Sequence, residues 1–163
     1  MKALVVYYSK SGTTRRVAEE IARALGADLE EIVEVGTQRS GLVGYLRAGR
    51  DAMRERASQI RPATKRPADY DVVFVGSPVW GWNLAPAVRS YLAAANLEGK
   101  PVALFCTMAS SGDRRTFSAM RSLARGSESL GELAVAASEL KSPDTLAQRV
   151  AVWAREMAAG ARR

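Results

Sequence analysis

The sequence predicts an α/β fold, a parallel sheet covered on both faces by helices, in a single domain spanning residues 1–163. Three observations predict it. Five strand candidates alternate with five helix candidates along the chain. Most of the strand candidates are unbroken apolar runs rather than strict alternations, as strands buried on both faces must be. The 163 residues are 47% hydrophobic and 25% charged, the size and makeup of one ordinary domain with a sizeable core.

The elements follow in order. Residues 2–8 form a Val- and Tyr-rich apolar run, the first strand. After Ser9-Lys10-Ser11-Gly12-Thr13-Thr14, Val17, Ile21 and Leu25 recur at helical spacing, and Gly26 fits the residue that closes the helix. Residues 29–35 alternate loosely, as a second or edge strand would. Leu42, Tyr45, Leu46, Met53 and Ala57 lie on one side of a helical pattern whose other side carries arginines. A Pro-rich linker over 61–67 leads into residues 70–76, Tyr-Asp-Val-Val-Phe-Val-Gly, the plainest buried strand. A helix with Val88, Tyr91, Leu92 and Ala95 inward comes next, then a strand over 101–106. The following helix carries Phe117, Met120 and Ala124 inward, and residues 133–137 make a last strand. Ser142-Pro143 opens a final helix with a cap and an N1 proline, and Leu146, Val150, Trp153 and Met157 form its apolar stripe.

Composition excludes several classes of function. No apolar stretch approaches the roughly 20 residues of a spanning helix, so no membrane span is expected. The start of the chain lacks the apolar region and cleavage site of a signal peptide, and a cytoplasmic location is expected. There is one cysteine, Cys106, and no histidine, which removes internal disulfides, the usual zinc sites and imidazole chemistry. The chemistry is therefore expected to be borrowed from a cofactor. The net charge is +7, and residues 37–66 hold eight Lys/Arg against Asp51 and Glu55, a net of +6. No helix-turn-helix, zinc-finger or RNP-type signature accompanies them, so nucleic acid is not the expected partner. A solvated face or a docking site for an acidic partner is.

In a parallel sheet, ligands bind outside the carboxyl ends of the strands, and three loops there have unusual chemistry. The first gathers Ser9, Ser11, Thr13 and Thr14 around Gly12 at a strand-to-helix junction, an anion site made of hydroxyls and unbonded amides. The alternative is a hydroxyl-rich cap without a ligand. Neither a Walker A loop nor a dinucleotide fingerprint is present. The second loop places Trp80 and Trp82 two residues apart among Gly76, Pro78, Gly81 and Asn83. Trp80 is the candidate to cover a flat ligand, and Trp82 could equally cap the core. The third loop, Thr107, Met108, Ala109, Ser110, Ser111 and Gly112, is small and polar. Cys106 lacks the arginine six positions on that a phosphatase loop requires, because that position is Gly112. It reads instead as a buried strand residue.

With these residues in view, the chain resembles the flavodoxin-like proteins, short-chain flavodoxins and the FMN-binding proteins related to them. Ser9-Lys10-Ser11-Gly12-Thr13-Thr14 matches their Ser/Thr-x-Ser/Thr-Gly-x-Thr phosphate loop, and residues 70–80 match their central strand and tryptophan loop. The resemblance implies a three-layer sandwich with a five-stranded parallel sheet in order 2-1-3-4-5 and one non-covalent FMN. Ser9, Ser11, Gly12, Thr13 and Thr14 would hold the phosphate. Ser77 and Pro78 would approach the ribityl chain or ring, Trp80 would cover one ring face, and residues 107–112 would line the other; Lys10, Val79 and Gly81 would also belong to the cofactor site. Two features depart from classical flavodoxins: the third loop has no tyrosine, and the chain is basic. Both imply a less negative flavin potential, the more so if Arg114 or Arg115 reaches the ring edge.

The expected function is electron transfer through a bound flavin, to an acidic redox protein or a small-molecule acceptor. Reduction of a quinone-like acceptor by NAD(P)H on the same flavin is the alternative. A non-redox module for some other phosphorylated ligand is the third reading.

Overall fold

A computed structural model describes residues 1–35, Leu46, Arg50 and residues 57–162. The chain runs β1 (Ala3–Tyr7), α1 (Thr13–Leu25), β2 (Asp28–Glu31), β3 (Val72–Trp80), β4 (Asn83–Leu84), α2 (Pro86–Ala94), β5 (Pro101–Met108), α3 (Asp113–Leu123), β6 (Glu128–Ala136) and α4 (Pro143–Gly160). The sheet order is β2-β1-β3-β5-β6, all parallel, with β4 paired antiparallel to β3. Counted without β4, this is the expected order 2-1-3-4-5.

The apolar runs divide their side chains between two cores. Leu4 and Val6 of β1, Val73 and Val75 of β3 and Leu104 and Cys106 of β5 face Val88, Leu92, Phe117 and Met120 of α2 and α3. Val5, Tyr7, Phe74 and Phe105 face Val17 and Ile21 of α1 and Leu146, Val150 and Trp153 of α4. Phe74 and Trp153 meet edge to face at 5.6 Å. This two-sided burial is why the strands lack a polar phase.

Several boundaries differ from the expectation. The second strand is Asp28–Glu31, earlier than residues 29–35; residues 33–35 instead run antiparallel to residues 59–61, through Val35 N–H to Gln59 O, Arg61 N–H to Val33 O and a Glu34–Ile60 bridge. The last strand starts five residues earlier than expected, at Glu128, because an edge strand tolerates the polar and glycine residues of its first half. The helix expected over residues 42–57 lies outside the described residues apart from Leu46, Arg50 and Ala57, and Leu46, expected on the apolar side, is exposed. Pro143 does open α4, but no side-chain cap comes from Ser142. Among the described residues no helix is long and apolar enough to cross a membrane.

Candidate functional site

The carboxyl ends of β1, β3 and β5 release the three loops side by side. After β1 the chain turns through Ser9 to Gly12, where the Ser9 hydroxyl accepts the Gly12 N–H at 3.1 Å. Gly12 takes a φ of +92°, a conformation that costs a glycine little, and starts α1. The first backbone bond of α1 runs from Arg16 N–H to Gly12 O, so the amides of Thr13, Thr14 and Arg15 have no intrahelical acceptor. No acidic residue stands in the first turn. The hydroxyls of Ser11 and Thr13 lie 3.3 Å apart at the surface. That of Thr14 is buried and lies 2.7 Å from the Thr107 hydroxyl of β5.

These loops enclose a cleft of about 180 Å³. Lys10, Ser11, Thr13 and Thr14 line it from the first loop, Pro78, Val79 and Trp80 from the second, and Thr107, Met108 and Ala109 from the third. Lys10 is the one charged side chain among the described residues of the lining, and its ammonium stands 5.9 Å from the centre of the Trp80 ring. A larger groove of about 540 Å³ lies between α1 and α4, away from these loops, and gathers no converging polar groups from the strand ends.

The remaining expected residues sit around the cleft rather than in its lining. Ser9 and Gly12 shape the first turn. Ser77 is fully buried and its hydroxyl is committed inside the protein: it donates to Pro78 O and accepts the Ala85 N–H, both at 2.9 Å. It secures the bend into α2. Gly81 and Trp82 form the two-residue turn of the β3–β4 hairpin, with φ of 54° and 57°. Ser110 and Ser111 are exposed, and Gly112 starts α3 at φ +108°.

The two tryptophans differ sharply in burial. Trp80 is only 7% exposed and packs edge-on against Tyr8, ring centres 5.5 Å apart, yet it still lines the cleft. Tyr8 in turn donates its hydroxyl proton to Glu34 at 2.8 Å. Trp82 is 58% exposed and lies outside the lining, against Gly112, where an added Cβ would come within 3.1 Å of the Trp82 Cα and 2.7 Å of a Val79 methyl.

Sequence reasoning missed Ala137 and Leu140, which close the cleft from the turn after β6. The rule that sites gather at strand ends could have found them. Arg114 lines a separate groove between α3 and β6 with Phe117 and Glu132, and neither Arg114 nor Arg115 is in the cleft lining. Phe117 is buried in the core. Cys106 is buried, and burial pushes its thiol up to about 12, which removes it as a nucleophile near neutral pH. Among the described residues no cluster could hold a metal ion.

A flavodoxin family model matches residues 2–134, and the chain belongs to the flavodoxin family. A flavoprotein from Lactobacillus acidophilus, solved in complex with FMN, superposes with a TM-score of 0.72 at 26% identity, over 88% of this chain and 98% of that one. Oxidised flavodoxin 2 from Bacillus cereus superposes with a TM-score of 0.63 at 21% identity, over 98% and 99%. A flavone reductase shares the fold at a TM-score of 0.63 and 13% identity; the match spans 99% of this chain and 63% of that one. No curated protein matches the sequence.

Proposed function

We propose that this chain, working as a single domain in the cytoplasm, binds one FMN non-covalently in the cleft and passes electrons through it. One observation carries the reading. A helix N-terminus with unbonded amides, surface hydroxyls and no acid opens into a cleft walled by an indole, which suits a group with a phosphate at one end and a planar ring at the other. The first loop holds the phosphate, with the amides of Thr13, Thr14 and Arg15 and the hydroxyls of Ser11, Thr13 and Thr14 as donors. Trp80, braced by Tyr8, covers the ring. Met108 and Ala109 stand on the third-loop side. The flavin supplies the electron chemistry, and the protein supplies binding and electrostatics. No acid or base of the chain is required.

Calorimetry with FMN and with riboflavin tests the assignment. FMN is expected to bind tighter, and Ser11→Ala or Thr14→Ala to weaken FMN by roughly 1–3 kcal/mol while sparing riboflavin. Equal affinity for the two flavins would remove the phosphate role. A purified protein without flavin absorbance after reconstitution would favour a non-redox phospholigand module.

A second reading, reduction of a quinone-like acceptor by NAD(P)H, is favoured by the third loop. It offers Met108 and Ala109 where an aromatic ring would otherwise cover the flavin, so a small planar molecule has room to approach. Anaerobic mixing of the FMN form with NADH or NADPH separates the two: fast bleaching identifies the reductase, and none leaves a carrier that takes electrons from an acidic redox protein.

A further inference from the structure

We propose that Thr107, at the end of β5 beside the cleft, is a positioning residue for phosphate recognition: its hydroxyl holds that of Thr14 and directs the Thr14 proton toward the phosphate. The inference rests on the FMN reading above.

The two hydroxyl oxygens lie 2.7 Å apart. Thr14 is 1% exposed and Thr107 4%, so the pair is sheltered although both residues reach the cleft. Thr107 is fixed by the sheet, in register with Pro78 of β3 and Val135 of β6, and Thr14 is fixed in the first turn of α1. Neither backbone position can drift without moving a main-chain element.

Proton counting then gives the pair a direction. A hydroxyl has one proton to give and two lone pairs to offer. Once Thr14 gives its proton to a phosphate oxygen, the contact with Thr107 survives only if Thr107 is the donor. The result is a chain from Thr107 to Thr14 to phosphate, in which donation into the Thr14 oxygen makes its own O–H a better donor to the anion. Riboflavin makes no demand on the Thr14 proton, so either direction of the pair serves it equally. Thr107 thereby adds to the preference for FMN without touching the phosphate. Ser11 and Thr13 form their own pair at the surface and contribute separately.

Calorimetry on wild type, Thr107→Val, Thr107→Ser, Thr14→Val and the Thr14→Val/Thr107→Val double variant tests this, with FMN and riboflavin as ligands. Thr107→Val is expected to weaken FMN by about two- to fivefold, from loss of cooperative strengthening of one charge-assisted bond, and to leave riboflavin unchanged. Thr107→Ser is expected to bind both flavins as wild type does. On the Thr14→Val background, Thr107→Val is expected to cost FMN nothing further. Parallel loss of both flavins in Thr107→Val, or an FMN-selective loss that persists without the Thr14 hydroxyl, would overturn the coupling while wild-type preference for FMN still stands. Equal binding of the two flavins by wild type overturns the phosphate reading and the coupling with it. Should Thr107→Val not fold, Thr107→Ala takes its place in the cycle.

Discussion

Trp82 carries two costs at once: a large indole in water and a bulky residue at φ 57°, a region that costs roughly 1–2 kcal/mol outside glycine and asparagine. Trp82→Asn should therefore raise stability by about 1 kcal/mol in urea titrations, and should leave FMN quenching of tryptophan fluorescence largely intact, because the cleft-lining indole is that of Trp80. Trp80→Ala should remove most of that quenching and weaken FMN by about 1 kcal/mol or more; the opposite pattern would transfer the stacking role to Trp82. Buried groups with raised proton affinity, Cys106 and Tyr91 with Tyr7 and Tyr70, contribute to the alkaline limit of the fold. Burial pushes the Cys106 thiol up to about 12 from 9.0 and the Tyr91 phenol up to about 12 from 10.0, the latter helped by Glu30. A group that holds its proton more tightly when folded stabilises the fold fully below its unfolded value and loses that contribution as pH rises toward the folded one. The urea midpoint should then fall between pH 9 and 12, and Cys106 should resist alkylation at pH 8 until the protein is unfolded. Ready alkylation of the native protein at that pH would contradict its burial.

At the scale of elements, Gly76 of β3 leaves room for the Phe105 ring of the neighbouring β5 to lie across its backbone. A Cβ at that position would lie 2.1 Å from the nearest ring atom, so Gly76→Ala forces the ring or strand to shift. Overpacking of this kind costs roughly 1–3 kcal/mol, expected here as a lower urea midpoint with the FMN-to-riboflavin preference unchanged. Loss of that preference at full stability would mean that the strand sets the loops rather than the core. The central strands were legible because double-sided burial writes itself as an apolar run, and the phosphate loop because its hydroxyls and glycine occur between a strand and a helix pattern. The β3–β4 hairpin was not, because a two-residue strand carries no period. That also explains the tryptophans: a spacing of two puts both rings on one face only while the strand continues, and the turn at Gly81 sends Trp82 elsewhere. The buried Ser77 looked available because its partners, Pro78 O and the Ala85 N–H, are made by the fold. Thr14 and Thr107 are 93 residues apart in the chain, so no local pattern could pair them.

Across the whole molecule the positive charge is uneven, with six of the net seven charges in residues 37–66. Within its described part, Lys65 and Arg66 are matched locally, by Glu30 at 3.6 Å and Asp69 at 3.0 Å, which leaves the excess to the arginines between residues 39 and 61. The place where this segment departs from and rejoins the body bears on function. Residues 33–35 are tied to residues 59–61, and Glu34 in that tie accepts the hydroxyl of Tyr8, whose ring meets Trp80. Residues 33–35 and 59–61, which bracket most of the segment's arginines, therefore meet beside the cleft proposed for the flavin. A protein carrying an acidic patch would be drawn by long-range attraction toward the side from which electrons can leave, and that attraction weakens once the screening length falls below roughly 10 Å near 0.1 M salt. Changing Arg47, Arg50 and Arg54 to Glu should slow electron exchange with an acidic redox protein by about tenfold or more at low salt and flatten its salt dependence, since steering changes association rates by factors of about 10 to 1,000. FMN affinity should stay as in wild type; Arg50, the one of the three among the described residues, does not line the cleft. Stopped-flow measurement across a salt series decides the matter: a wild-type rate indifferent to ionic strength would make the segment a solvated face, and would leave the small-acceptor reductase as the stronger account of the open third-loop side.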